Sequence, residues 1–337
     1  MSVRDILVVG AGPAGLATAI AAKQANLDCL VIEKGALVNS LQHFPVNMVF
    51  FTSPELLEIG GLPFVTPHEK PTRFEALNYY RRVVDTFDLE IAFDEEVLAV
   101  YPDQVGSKPE QGLTAETRST RGVRRVLHGR TLVLGTGCYD RPNLIGVPGE
   151  DLPHVSHYYT EAHGFYRKRV VVVGGKNSAA ETALDLFRSG VSVTLVHRRS
   201  RLADTIKYWV KPDIENRIKE GSIAARFDTR VVEIRPTSVV LESADGRDEI
   251  PADAVFLLTG YVADTELLSQ AGVRFDDRSF VPEYDRTTFE TNVPGLFVVG
   301  SVVSGRQRGE VFIENGRFHG QQVVSVICER LAGVAAR

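Results

Sequence analysis

Two glycine turns carry the chemistry legible in this sequence. The first lies in "DILVVGAGPAGLATAIAAKQANLDCLVIEK", where Gly10, Gly12 and Gly15 separate an apolar run, Ile6 to Val9, from an alanine-rich stretch. Gly10 permits a tight turn, Gly12 lets the backbone approach a pyrophosphate, and Gly15 lets helix and strand pack closely. Pro13 and Ala14 open the helix, whose positive dipole end and free N–H groups suit a phosphate. Glu33 follows the second apolar run, with Lys34 beside it, where a carboxylate can accept from ribose hydroxyls.

The second turn, in "RVVVVGGKNSAAETALDLFRSGVSVTLVHRRS", repeats that order with Gly174 and Gly175. Lys176 stands where a second glycine is usual, so its side chain must point away from a pyrophosphate or reach around it. Asn177 and Ser178 offer hydrogen bonds at the helix start, and Ala179 replaces the third glycine. The second strand ends in His197, Arg198 and Arg199 rather than in an acid. An acid repels a 2′-phosphate, whereas an arginine pair holds it with forked, charge-assisted bonds. Each such bond contributes about 1.5–3 kcal/mol, so the pair is read as selecting NADPH over NADH. A solvated basic loop is the bland alternative.

Further segments return to the first turn. "TNVPGLFVVGS" reads as a buried strand, Leu296 to Val299, ending at Gly300 and Ser301, and a helix is expected around "EVFIENG", which contains Phe312 and Ile313. "TLVLGTGCYDRPN" adds Thr136 and Gly137 in another strand-to-glycine turn. "EEVLAVY" reads as a strand whose backbone meets an adenine ring near Val97. Such a closed site suits a long ligand, and FAD, with its extended isoalloxazine, needs the second set of contacts.

The elements required to position these residues define an α/β protein with two Rossmann-like dinucleotide-binding domains, the second inserted in the first. The chain's 337 residues suit two domains. Residues 1–151 and 252–337 are expected to form the FAD-binding domain and residues 152–251 the NADPH-binding domain, with crossings at "GVPGEDLP" and near "GRDEIPAD", just before the strand "AVFLLTG". Residues 37–71 are irregular and aromatic, able to wall a flat ring or to pack their own aromatics. "RFEALNYYRRVVDTF" has helical apolar spacing, and residues 103–112 read as a loop.

Composition bounds the rest. Hydrophobic residues make up 44%, charged ones 24%, and the net charge is -5. No basic surface suits a nucleic acid, and no apolar run reaches the roughly 18 residues that span a bilayer. The start lacks a signal-peptide layout, so a cytoplasmic location is expected. Cys29, Cys138 and Cys328 lie far apart in sequence, with neither a CxxC pair nor a metal-ligand spacing. Cys29 and Cys328 read as small buried hydrophobes. Cys138 follows a glycine turn and stays a candidate redox residue, while His157 and His163, in "HVSHYYTEAH", are candidate proton donors or plain surface and hinge histidines.

The order GxGxxG, "GTG", "GVPGE", "GGKNSA", "HRR", "TGY" and "TNVPGLFVVG" resembles the low-molecular-weight thioredoxin reductase group over nearly the whole chain. Within it, "IEKG", "FFTS", "GGKNSA" and "IENGRFHG" are most similar to the YpdA-type bacillithiol disulfide reductases. The resemblance implies an FAD-containing, NADPH-dependent reductase of a small-thiol disulfide, assembled as a homodimer or homotetramer, with "TGY" placing Gly260 and Tyr261 beside the NADPH set. Three departures matter. The CxxC that follows the hinge in thioredoxin reductases is absent, which excludes thioredoxin reduction by an internal dithiol. Ala14 stands where the closer family often carries a cysteine. Ser301 replaces an aspartate that many flavoproteins use to hold the ribityl and pyrophosphate region. Two other readings stay open: a ferredoxin- or flavodoxin-NADP reductase, and a nucleotide-binding redox sensor with little turnover.

Overall fold

The computed structural model describes residues 3–102, 112–305 and 311–335. The loop expected at 103–112 therefore lies, apart from Gly112, outside the described residues. The chain forms two compact units, one of Met1–Gln42, Thr52–Arg141 and Tyr261–Arg337, the other of His43–Phe51 and Pro142–Gly260.

The first unit begins with β1 (Arg4–Val9), α1 (Pro13–Gln24) and β2 (Cys29–Ile32). A short helix α2 (Asn39–Gln42) precedes α3 (Arg73–Phe87). Thr72 caps α3: its hydroxyl accepts from Glu75 N–H at 3.2 Å while Glu75 accepts from Thr72 N–H at 2.8 Å, a reciprocal capping box. Tyr79 and Tyr80 of α3 are buried, and Phe64 stacks on Tyr79 at 4.5 Å, so part of the aromatic segment packs its own rings. Strands β3 (Ile91–Ala92), β4 (Glu95–Pro102), β5 (Leu113–Ser119) and β6 (Arg124–Leu134) come next, and β7 (Arg141–Pro142) stands where the chain crosses into the second unit, at 141/142 rather than the expected 151/152.

In the second unit β8 (Val155–Ser156) precedes β9 (Arg169–Val173), α4 (Asn177–Arg188) and β10 (Ser192–Val196). Then come α5 (Lys211–Lys219), β11 (Ala224–Arg226), β12 (Arg230–Arg235), β13 (Ser238–Ser243), β14 (Gly246–Pro251) and β15 (Ala254–Leu257). The parallel sheet has the order β11-β10-β9-β15-β8, and β12-β13-β14 form an antiparallel meander. This corrects the expected second crossing. "AVFL" is β15, paired with β9 from Ala254↔Val170 to Leu257↔Val173, so it belongs to the second sheet and the chain returns at 260/261. A fully apolar four-residue strand is buried on both faces wherever it lies, and its sequence does not say in which parallel sheet. Residues 43–51 also join this unit, where Val46 N–H donates to Thr160 O at 2.9 Å and Lys207 Nζ to Val49 O at 3.0 Å.

The returning chain adds β16 (Tyr261–Val262), α6 (Glu266–Gln270), β17 (Leu296–Val298), α7 (Ile313–Gly316) and α8 (His319–Ala335). The helix expected around "EVFIENG" is thus one short turn and then a long helix. The first unit's sheet has the order β3-β2-β1-β6-β5-β4, with β17 also on β6. β1, β2, β3, β17 and the second half of β6 run parallel, and β4 and β5 antiparallel. Register sets where these strands end. Val9 lies opposite Ile32 and Leu134, and Leu134 opposite Val298, so four parallel strands end at one level. Ligands of such sheets sit outside these carboxyl ends.

Candidate functional site

The ends of these four strands deliver residues of the first glycine-turn set. After Val9 comes Gly10 at φ +103°, and a Cβ on it would lie 2.5 Å from Gly135 O, so this turn abuts the one after β6. Gly15 is pressed against Gly10 O. Gly12 is the reverse: a Cβ there would meet nothing within 4 Å. Gly12 is also the N-cap of α1, with Pro13 next and no side-chain cap, so the open face meets free backbone donors.

After Ile32 comes Glu33, 6% exposed. Its Oε2 accepts from Ala11 N–H at 2.8 Å and its Oε1 from Gly35 N–H at 2.9 Å. Burial pushes its pKa up, and these amide bonds pull it partly back. The carboxylate therefore ties the end of β2 to the glycine turn and keeps lone pairs for another donor. Lys34 Nζ pairs with Asp140 Oδ2 at 2.6 Å, and an open polar cleft lined by Lys34, Asp94, Glu96 and Arg118 lies beside it. Val97 is half-buried on β4, where the register with β5 shifts between Val97 and Ala99.

The returning strand closes the same place. Gly300 has φ +73°, and a Cβ on it would stand 2.8 Å from Ala14 Cβ. A Cβ on Gly137 would stand 3.7 Å from Ser301 Oγ, with Thr136 next in the chain. Ala14, Gly137, Gly300 and Ser301 thus meet at the start of α1, while Phe312, 47% exposed, and Ile313 begin α7. The open face at Gly12, the uncapped helix and the buried carboxylate fit a pyrophosphate and a ribose. Sequence reading overlooked Gly135, and also His319, whose Nδ1 accepts from Gly300 N–H at 3.2 Å. Nothing local to "RFHG" marks that histidine.

In the second unit, β9 leads to Gly174 and Gly175, and the ring of His197 lies directly over Gly175. Lys176 is exposed at the N-cap of α4. Asn177 Oδ1 accepts from Lys207 N–H at 2.8 Å and its Nδ2 donates to Thr205 O at 3.2 Å, which ties the 203–207 loop to the helix start. Ser178 is exposed and Ala179 buried. His197 titrates below the ordinary histidine value, first through burial and then through the charges of Arg199 and Arg198. Both arginines are exposed and, among the described residues, form no ion pair. Gly260 closes this unit, whereas Tyr261 belongs to the first, its ring 4.4 Å from Tyr139.

The remaining candidates are not drawn together. His157 Nε2 lies 3.4 Å from Glu150 Oε1, and His163 is exposed on a single helical turn. All three cysteines are free. Contrary to the sequence reading, Cys29 and Cys328 are only partly buried. Burial still pushes the Cys29 thiol up to about 12, far from a reactive thiolate. Among the described residues no three His, Cys, Asp or Glu side chains cluster as a metal site.

Comparison with known proteins shows the family. Residues 7–300 match the family model described as pyridine nucleotide-disulphide oxidoreductase. The chain is 40% identical over 325 residues to the bacilliredoxin reductase Bdr of Bacillus subtilis (strain 168), covering 96% of this chain and 97% of that one. It superposes on the structure of bacillithiol disulfide reductase Bdr (YpdA) from Bacillus cereus with a TM-score of 0.94 at 37% identity, covering 98% of this chain and 100% of the other. A ferredoxin–NADP reductase from Ignicoccus hospitalis is 27% identical over 90% of this chain and 92% of its own. The chain therefore belongs to the pyridine nucleotide-disulphide oxidoreductase family, as an oxidoreductase among thioredoxin reductase-like relatives that use FAD and NADPH.

Proposed function

We propose that this chain uses NADPH to reduce a low-molecular-weight thiol disulfide of the bacillithiol disulfide kind, with FAD at the first glycine turn and no cysteine pair in between. The overall change is balanced: NADPH, one proton and a disulfide give NADP⁺ and two thiols. FAD, when bound, supplies the two-electron carrier between nicotinamide and disulfide. The observation that carries this reading is the pair of glycine turns, one ending in a buried acid and the other in exposed arginines, in a chain whose three cysteines are all free.

The chain's own residues then have these parts. Gly12 and the free donors of α1, with Pro13, Ala14 and Gly15, hold a pyrophosphate, and Glu33 accepts from a ribose. Gly137, Gly300 and Ser301 bound the far side of that site, and Val97 and Ile313 extend it. Gly175, Lys176, Asn177 and Ser178 hold the second nucleotide, and Arg198 and Arg199 hold its 2′-phosphate. The name bacillithiol disulfide reductase, borne by a structure 37% identical, supports the substrate class. The name ferredoxin–NADP reductase, at 27% identity, supports the carrier alternative less. We place the protein in the cytoplasm as a homodimer or homotetramer; among the described residues no helix is long and apolar enough to cross a membrane.

The deciding experiment mixes purified protein and NADPH with small disulfides, ferredoxin or flavodoxin in turn, and monitors NADPH oxidation. Rapid oxidation with a small disulfide is expected. Turnover with the protein carriers alone would replace this reading by the ferredoxin-reductase one, and turnover with none by the sensor.

A further inference from the structure

The last helix begins with His319 and Gly320, and both reach elements on which the first glycine turn depends. A Cβ on Gly320 would stand 2.5 Å from Thr18 N and 2.6 Å from Thr18 Oγ1, so α8 lies flush on α1. Thr18 Oγ1 in turn donates to Ala14 O at 2.8 Å. His319 reaches the other way. Its Nδ1 accepts from Gly300 N–H at 3.2 Å, and its ring stacks on Phe289 with centroids 4.2 Å apart and planes at 26°. Gly300 is buried and backs onto Ala14, where a Cβ would lie 2.8 Å from that methyl group.

An acceptor at Nδ1 requires the ring proton on Nε2 and a neutral imidazole. Burial favours the neutral ring and lowers its pKa to about 4. The Phe289 stack fixes the ring plane, so Nδ1 stays aimed at the amide. Without that acceptor a buried N–H loses its partner, and the turn that closes the strand end is no longer held in one place.

We propose that His319 is a positioning residue for the flavin nucleotide: by holding the Gly300 amide it fixes the turn that backs Ala14 at the start of α1, and so sets the cradle in which FAD is retained. The inference rests on the placing of FAD at the first glycine turn. It requires one neutral acceptor on the last helix, and ring-shaped bulk does not replace it.

The test compares purified wild type, His319→Phe and His319→Asn. FAD content per subunit and the rate of FAD release into FAD-free buffer are read by flavin fluorescence. The fold is monitored separately by the circular-dichroism melt. Phe keeps the bulk and the stack without an acceptor, while Asn sets an amide oxygen near the place of Nδ1. Release is expected to be about tenfold faster in the Phe variant, the loss of one buried hydrogen bond, and largely restored in the Asn variant. Equal release from wild type and Phe variant, or an Asn variant as leaky as the Phe variant, overturns the positioning role. Should the Phe variant fail to melt cooperatively, the Asn variant decides alone: near-wild-type retention supports the proposal, and loss of FAD from an intact fold refutes it. A wild type that neither carries nor takes up FAD overturns the placing of FAD itself, whereas a flavin-loaded wild type indifferent to His319 refutes only this inference.

Discussion

The imidazole of His197 lies so close over Gly175 that a methyl group on that glycine would overlap Cε1, Nε2 and Nδ1 of the ring. The glycine turn of the second unit and the basic end of β10 are thereby locked together. Gly175→Ala must push the ring aside, and the ring adjoins Arg198 and Arg199 in the chain. The Michaelis constant for NADPH is expected to rise about tenfold, the equivalent of one lost charge-assisted bond, with FAD content unchanged. Unaltered NADPH kinetics in a variant that retains FAD would show that the ring does not orient the arginines.

The arginines themselves make a separate prediction. Both are exposed and, among the described residues, without ion pairs, so their removal breaks no fold contact of that kind. Alanine at both positions is expected to erase most of the preference for NADPH over NADH. The loss should fall on the Michaelis constant, because a 2′-phosphate lies far from the transferring hydride. Equal use of both nucleotides by the wild type would remove the assignment.

Acid should loosen the first unit through His319. Its folded pKa, about 4, lies below the ordinary 6.5 because the ring is buried. Below 6.5 the unfolded chain binds a proton that the folded chain refuses, so this contribution to stability is complete above pH 6.5 and is lost as pH falls toward 4. Burial is the sole cause of the lowered value. Melting temperature measured from pH 7 to pH 4.5 should fall more steeply for wild type than for His319→Asn, which has no proton to gain. Parallel curves would mean that other groups govern the acid response.

Reduction should stop at the flavin. The three cysteines are free, and Cys29 is held far from its thiolate form. Anaerobic dithionite titration is expected to end at about two electrons per subunit, the capacity of the flavin alone. Cys138→Ser should leave that endpoint in place. An endpoint near four electrons, or loss of all turnover in the variant, would bring a thiol into the reaction.

What the sequence by itself determined is what short-range signals encode. Helix 73–87 comes from apolar spacing, and both glycine turns from the order strand, glycine, helix, strand. The contrast between Glu33 and Arg198–Arg199 is a matter of residue type and needs no coordinates. Tertiary structure alone decided where apolar strands pair: "AVFL" is equally buried in either parallel sheet, and only its register with β9 puts it in the second. It also decided that residues 43–51 join the second unit, through single backbone and lysine bonds that leave no periodic trace. The contacts of Gly300 with Ala14 and of His319 with Gly300 likewise join residues far apart in the chain. Such contacts depend on four strands ending at one level, a property of register between strands that no single segment contains.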